Sequence, residues 1–150
     1  MSRRVGTEPM AANDRPGDPP VLFFDGVCNL CNAAVDFIIR HDPDGVFRFA
    51  PLQGVTATQR LGPQPPGDPD TLVLLEDGRQ FDRSDAALRI ARRLGGWMRL
   101  LRPLWWLAGL WPRPWRDAVY AWIARNRYRW FGRKETCRLP TPQERARFLP

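Results

Sequence analysis

The sequence has few of the residues and segments that mark secreted or membrane-spanning proteins. It contains three cysteines in 150 residues, a number too small and odd for a disulfide scaffold. No apolar run approaches the ~20 residues that cross a bilayer. Residues 1–20 carry positive charge without the apolar stretch of about 7–15 residues found in a signal peptide. We therefore expect a cytoplasmic protein whose reduced cysteines serve chemistry or bind a metal.

Lysine and histidine are nearly absent as well, with Lys134 and His41 as the single examples, so the basic charge comes from arginine. The net charge is +7, but residues 1–70 hold six arginines and nine acidic residues, whereas residues 71–150 hold 16 arginines and seven acidic residues. All seven tryptophans lie between positions 97 and 130. This basic, tryptophan-rich part either attracts an acidic partner or a membrane surface, or is a solvated helix face.

The first half of the chain shows the pattern of a β-α-β unit. Residues 1–20, rich in proline and glycine, are predicted to form a disordered tail. A continuous apolar run at residues 21–24 predicts a buried strand, and residues 46–50 predict a second. Between them, an apolar stripe at helical spacing predicts a helix over residues 29–40. Such a unit favours a parallel pair of strands joined by a crossover helix.

The next segment predicts a β-hairpin followed by a helix. A short helix is expected over residues 54–62, a strand over residues 71–75, and a return strand over residues 79–82 after the turn at Asp77-Gly78. Ser84 is expected to cap the following helix, which ends at Gly95-Gly96. The sequence thus predicts an α/β protein with a thioredoxin-like core over residues 21–95, formed by the β-α-β unit, the hairpin and the helix.

Residues 96–150 are predicted to form an Arg/Trp-rich helical extension packed on that core. Apolar residues keep helical spacing from Trp97 to Trp111 and again from Trp115 to Trp130. The helix of the second stripe is expected to pack on the core with a rim of arginines, Arg127 among them. Asn126 falls on the second stripe and is expected to be hydrogen-bonded inside. Thr141 and Glu144 fit a capping box, which predicts a last short helix.

Cys28 and Cys31 lie where a dithiol can be reactive, at the start of the first helix directly after a buried strand. The i, i+3 spacing brings the sulfurs to one side of the first turn. The free N–H groups and the dipole of a helix N-terminus stabilise an anion, so the thiolate form of Cys28 is favoured there. We expect an exposed Cys28 to attack a substrate disulfide and Cys31 to resolve the mixed disulfide. A C-x-x-C beside a β-α-β pattern indicates a thioredoxin-like redox site.

Asp25 stands three residues before Cys28, at the end of the predicted strand, and has two interpretations. In one, its carboxylate accepts a proton near Cys31 or sets the redox potential of the pair. In the other, it caps the free N–H groups of the helix. Both remain open from the sequence.

Residues 24–31 read Phe-Asp-Gly-Val-Cys-Asn-Leu-Cys, which resembles the D-G-x-C-x-x-C signature of the DCC family of predicted thiol-disulfide oxidoreductases. Further segments resemble the same family: residues 49–53 its second strand, residues 84–87 its S-x-A helix start, and residues 120–132 its C-terminal helix. The resemblance covers about residues 21–149. It implies a thioredoxin-like core and a redox role for Asp25, Cys28 and Cys31.

The predicted function is therefore a thiol-disulfide oxidoreductase that acts on a protein or small-molecule disulfide and is recycled by an external thiol. No glycine-rich dinucleotide motif occurs, so neither a flavin nor a nicotinamide cofactor is expected, and no metal is required. No specific nucleic acid is expected, and the sequence does not determine the oligomeric state. Cys137 is either a second resolving thiol or inert.

Two alternatives depend on other residues. The first is a non-catalytic module that docks a protein or membrane surface through the Arg/Trp-rich helices. The second is a zinc module formed by Cys28, Cys31, His41 and Cys137, although their spacing is poor for a metal site.

Overall fold

The computed structural model describes residues 17–62, 72–132 and 140–150. Strand β1 (Val21–Phe24) leads into helix α1 (Asn29–His41), strand β2 (Arg48–Pro51) and the short helix α2 (Val55–Leu61). Strands β3 (Val73–Glu76) and β4 (Arg79–Asp82) precede helix α3 (Arg83–Arg93). A 3₁₀ helix (Gly96–Leu101) continues into α4 (Arg102–Gly109), followed by α5 (Arg113–Phe131) and a 3₁₀ turn (Arg145–Arg147). The predicted order of elements is confirmed.

The four strands form one mixed sheet in the order β2-β1-β3-β4. Strand β1 pairs in parallel with β2 and antiparallel with β3, and β3 pairs antiparallel with β4. Asp77 and Gly78 both take positive φ in the β3–β4 turn, the backbone that a two-residue hairpin of this kind needs. The β-α-β unit, hairpin and helix together confirm the predicted α/β, thioredoxin-like class.

The core lies on both faces of the sheet, because β1 is buried on both sides, as its continuous apolar run predicts. On one face, the side chains of β1 and β2 contact α1 and α3, with the buried residues Leu22, Phe24, Val35, Ile38, Phe49, Leu74, Ala86 and Ile90. On the other face, α2 covers a smaller cluster of Val21, Phe23, Ala50, Leu52, Ala57 and Leu75. Burial of these two clusters holds β1 rigid, and β1 in turn positions the residue that follows it.

The helical extension is present, but the apolar stripe of α5 faces solvent. Helix α5 contacts α1 and α3, yet Trp115, Val119, Trp122 and Ile123 on it are exposed. On α4, Trp106 and Leu107 are exposed, whereas Trp105 packs against the core. The prediction that the stripe of α5 packs on the core is therefore wrong: α5 turns a face of Tyr120, Ala124 and Arg127 inward instead. Periodicity shows that a helix has an apolar face without showing what covers that face.

Three smaller predictions are corrected. Asp82, not Ser84, precedes α3 as its N-cap residue; Ser84 lies inside the helix, where its hydroxyl donates to Asp117 at 2.5 Å. The side-chain amide of Asn126 donates to the carbonyl oxygen of Trp122 in its own helix, not to a buried partner. Glu144 accepts a hydrogen bond from the Thr141 N–H at 3.0 Å, as in a capping box, but only a 3₁₀ turn follows.

Residues 140–150 return to the edge of the sheet next to β2. Phe148 forms an isolated parallel bridge with Phe49, and its ring packs on those of Phe24 and Phe49. Arg147 forms a salt bridge with the buried carboxylate of Asp42. Within the described ranges, no helix is both long and apolar enough to cross a membrane.

Candidate active site

The site begins where the parallel strands β1 and β2 end at the same edge of the sheet. Asp25 follows β1, and Gln53 follows β2. The amide of Gln53 donates to Asp25 Oδ1 at 2.7 Å and accepts the Gly26 N–H at 3.2 Å. Asp25 Oδ1 also accepts the Val27 N–H. This network fixes the turn between β1 and α1.

Cys28 is the N-cap residue of α1. Its backbone is extended, and its sulfur accepts a hydrogen bond from the Cys31 N–H at 3.4 Å. Its carbonyl accepts the first helical hydrogen bond, from Asn32 N. The cap is thus a cysteine sulfur in the position where a serine or aspartate oxygen usually stands, and the donor that it uses is one of the free N–H groups of the helix N-terminus. Both cysteines are free thiols.

The two cysteines differ from the prediction in exposure. Cys28 is 0% exposed, whereas Cys31 is half-buried, so the expectation that Cys28 lies on an exposed lip is wrong. Burial and a hydrogen bond with the Cys28 sulfur raise the pKa of Cys31 to about 12, and the charge of Asp25 adds to this rise. Cys31 therefore keeps its proton at neutral pH.

Two residues of α5 complete the site from the far end of the chain. The Arg127 guanidinium forms a salt bridge with Asp25 Oδ2 at 3.3 Å, with the side chains 3% and 1% exposed. The Tyr128 hydroxyl donates to the same carboxylate oxygen. Burial raises the pKa of Tyr128 to about 12, and the hydrogen bond to Asp25 acts in the same direction. Burial alone would lower the pKa of Arg127, but Tyr128, Cys31 and Cys28 raise it.

Asn29, between the two cysteines, joins this first turn to the end of α5. Its side-chain amide donates to the Phe131 carbonyl oxygen at 2.7 Å, and its N–H donates to the Gly132 carbonyl oxygen at 3.4 Å. The end of α5 therefore lies directly beside the dithiol.

Comparison with known proteins decides the family. A model of the DCC1-like thiol-disulfide oxidoreductase family matches residues 22–133. The chain belongs to the DCC1-like thiol-disulfide oxidoreductase family. The uncharacterized protein YuxK of Bacillus subtilis (strain 168) is 47% identical over 132 residues, which are 87% of this chain and 93% of YuxK. A DCC family protein of Arabidopsis thaliana, described as chloroplastic, is 36% identical over 122 residues, 80% of this chain and 69% of that protein. No solved structure matches.

The matched region contains the dithiol, Asp25 and both α5 residues of the site. The expected resemblance to the DCC family is thus confirmed, and the model of the family ends just beyond the helix that supplies Arg127. In this family member, Asp25 does not cap α1, since the Cys28 sulfur holds that position. Asp25 instead accepts hydrogen bonds from the turn, from Gln53 and from α5.

Sequence reasoning missed Arg127 and Tyr128 as site residues. The apolar period places Asn126 on the inward face and Arg127 on the arginine rim, whereas in the structure Arg127 is the buried residue. The available signal was Asp25 itself: a carboxylate directly after a fully buried strand needs a cation or several donors. With 22 arginines in the chain, that need alone does not identify which one supplies the charge.

The proposed zinc set is not brought together. His41 is the last residue of α1, about 20 Å from its N-terminus at the rise of ~1.5 Å per residue. Its ring accepts the indole N–H of Trp97 at 3.0 Å, and its other nitrogen bonds the Phe37 carbonyl oxygen at 2.8 Å. Cys137 lies outside the described residues. Among the residues that are described, no three His, Cys, Asp or Glu side chains cluster as metal ligands.

Removal of one partner of the buried ion pair should destabilise the protein. In Asp25→Ala, the Arg127 charge stays buried without its carboxylate, so we expect a loss of about 3–5 kcal/mol in the free energy of unfolding, measured by urea titration. The double variant Asp25→Ala/Arg127→Met should recover part of this loss, because no buried charge remains. Arg129→Ala, an exposed arginine on the same helix, is the control and should change stability by about 0.5 kcal/mol or less. A double variant as unstable as Asp25→Ala would contradict this account.

The raised pKa of Cys31 predicts slow alkylation. With a pKa of about 12, about one Cys31 in ten thousand is a thiolate at pH 8. In a Cys137→Ser background, we expect the rate of Cys31 alkylation by iodoacetamide to keep increasing with pH above pH 10, as measured by mass spectrometry. In Cys28→Ala the pKa should fall, since the partner sulfur is gone, but stay above its ordinary value because burial remains. A rate that levels off below pH 9 with both cysteines present would exclude this arrangement.

Proposed function

We propose that this protein catalyses thiol-disulfide exchange, with Cys28 and Cys31 as the redox centre. The observation that carries the proposal is the cap of α1: the Cys28 sulfur accepts the Cys31 N–H at a helix N-terminus. A helix N-terminus stabilises a negative sulfur through such an N–H group and the helix dipole. The neighbouring Cys31 thiol supplies a further hydrogen bond to it.

Cys28 is the attacking sulfur in this proposal, and Cys31 is the resolving one. The thiolate is the nucleophile in disulfide exchange. Since the pKa of Cys31 is about 12, its sulfur carries a proton while Cys28 attacks. Once Cys28 is bound in a disulfide, the Cys31 thiol loses both the hydrogen bond and the repulsion that hold its proton, so its pKa falls and it can attack.

The reaction is balanced as two exchanges. The Cys28 thiolate attacks one sulfur of the substrate disulfide, forms a mixed disulfide and releases the other sulfur as a thiolate. Cys31 then gives up its proton to the substrate thiolate released in the first exchange and attacks the Cys28 sulfur, which forms the Cys28–Cys31 disulfide and releases the second substrate thiolate. The substrate gains two electrons and the dithiol loses two. An external dithiol, or two molecules of a thiol such as glutathione, reverses these steps to regenerate the protein.

Asp25 and Arg127 act here as positioning residues. The lone pairs of Asp25 are occupied by Val27, Gln53, Tyr128 and Arg127, so the carboxylate is better suited to hold these groups than to take a proton. Its charge raises the pKa of Cys31, whereas the charge of Arg127 lowers it. The two charges thus act in opposite directions on the pKa of Cys31, while the ion pair fixes the turn that carries Cys28.

Access to Cys28 needs movement, because its side chain is fully buried. The contacts of Asn29 with Phe131 and Gly132 hold the end of α5 against this turn. We expect this end to move away before a substrate disulfide reaches the sulfur. In our proposal the substrate is a protein or small-molecule disulfide, and the protein works in a reducing compartment such as the cytoplasm.

Single cysteine variants test the assignment of roles. In a Cys137→Ser background, Cys28→Ser should lose exchange with glutathione disulfide, whereas Cys31→Ser should accumulate a mixed disulfide between glutathione and Cys28, detected by mass spectrometry. Cys137→Ser alone is the control and should exchange as the native chain does. If both variants exchange like the control, the proposed function is wrong. If glutathione instead accumulates on Cys31 in Cys28→Ser, the two roles are reversed.

The proposed movement of α5 predicts a faster reaction of Cys28 in Asn29→Ala. This variant loses a side-chain hydrogen bond worth about 0.5–1.5 kcal/mol, so alkylation of Cys28 should accelerate by up to about ten-fold. Asn126→Ala is the matched control, because it removes an amide-to-carbonyl bond within α5 that does not reach the dithiol. Equal alkylation rates in the two variants would show that the end of α5 does not control access.

A further inference from the structure

Residues 96–132 carry an outward-facing apolar surface that the redox reaction does not use. We call it the tryptophan face: the exposed side chains of Trp97, Leu100, Leu104, Trp106, Leu107, Leu110, Trp111, Trp115, Val119, Trp122, Ile123 and Trp130. Leu110 is 80% exposed, Trp106 63% and Trp122 54%. Monomeric proteins rarely leave so many large apolar side chains in water on one segment, and such surfaces mark interaction sites.

The tryptophan face on α5 is a true stripe. Trp115, Val119, Trp122, Ile123 and Trp130 recur at the helical period and are all exposed, whereas the buried Arg127 lies outside this stripe. The rings of Trp111 and Trp115 pack with centroids 6.2 Å apart, which joins the end of α4 to the start of α5. The rings of Trp122 and Trp130 pack at 5.0 Å near the other end. Helix α5 spans about 28 Å at ~1.5 Å per residue.

Charge on this segment is almost entirely positive. Residues 96–132 contain seven arginines and one acidic residue, Asp117. That carboxylate is engaged at the inner side of α5, where it accepts from Ser84 and pairs with Arg113. Arg102, Arg125 and Arg129 are exposed and, within the described part of the chain, have no carboxylate at ion-pair distance. Their charges are therefore available to an external anion.

We propose that the tryptophan face docks this protein onto the surface of an anionic lipid bilayer. Tryptophan is favoured at the boundary between headgroups and acyl chains, and leucine inserts slightly deeper. Exposed arginines beside these side chains bind lipid phosphates and are attracted to the negative surface potential. The helices lie on the membrane and do not cross it, in keeping with the absence of a spanning helix among the described residues.

The charge of the face argues against a second copy of this chain as its occupant. In a two-fold symmetric dimer, the same patch meets itself. The arginines of one copy would then face the same arginine-rich patch of the other, and no acidic side chain of this segment is placed to offset them. An anionic bilayer supplies the opposite charge and an apolar layer in the same surface.

The test is sedimentation of the full chain with vesicles. We expect the protein to pellet with vesicles of phosphatidylcholine and phosphatidylglycerol (7:3) at low salt, and not with pure phosphatidylcholine. Because all seven tryptophans lie between residues 97 and 130, the intrinsic fluorescence should shift to shorter wavelength on binding. The redox state and activity of the dithiol do not enter this measurement, so its failure is distinct from failure of the proposed function.

Matched variants separate the contributions. The double variant Arg125→Glu/Arg129→Glu should weaken binding to anionic vesicles by about ten-fold or more. The control Arg40→Glu/Arg79→Glu makes the same change of charge outside residues 96–132 and should bind more strongly than Arg125→Glu/Arg129→Glu. Trp122→Ser should weaken binding, and Val55→Ser, which removes an exposed apolar side chain from α2, should not. No pelleting with anionic vesicles, or equal binding by the two charge variants, overturns the proposal. So does a dimer in light scattering that Trp122→Ser dissociates, or binding to polyglutamate without binding to vesicles.

Discussion

The buried ion pair between Asp25 and Arg127 is the interaction on which the site depends. It joins residues 102 positions apart, one directly after the central strand and the other in the last long helix. Neither charge would be tolerated alone at this depth, because desolvation of an unpaired ion costs several kcal/mol. The pair therefore couples the placement of α5 to the turn that carries Cys28, and the redox motif is complete only when the C-terminal helix is in position.

The two sulfurs of the dithiol differ in their hydrogen bonds and in their exposure. The Cys28 sulfur accepts a hydrogen bond from the Cys31 N–H at the N-terminus of α1. Burial and contact with Cys28 raise the pKa of Cys31, so the Cys31 thiol keeps its proton. Accessibility runs the other way, since Cys28 is enclosed and Cys31 is half-exposed. In the proposed reaction, the Asn29 contacts with the end of α5 control how a substrate reaches the enclosed sulfur.

Much of the core could be predicted from sequence because its signals are local. The apolar run of β1, the stripe of α1, the Asp77-Gly78 turn and the cysteine spacing each depend on a few neighbouring residues, and all are found as expected. The partner of Asp25 is not local. Its identity depends on the rotation of α5 about its axis. The apolar period places Asn126 on the inward face, whereas the structure places its neighbour Arg127 there. The predicted orientation of the α5 stripe is wrong for a related reason: the apolar period of a helix does not distinguish a core-facing side from an exposed apolar surface.

The most direct measurement is the equilibrium of the Cys28–Cys31 pair with glutathione redox buffers in the Cys137→Ser protein, read by mass spectrometry. Our account predicts one two-electron transition from dithiol to intramolecular disulfide, with a loss of two hydrogens and little singly glutathionylated protein at equilibrium. A pair that stays reduced at every ratio, or that collects glutathione on separate cysteines without forming the internal disulfide, would contradict the assignment of these sulfurs as a redox centre.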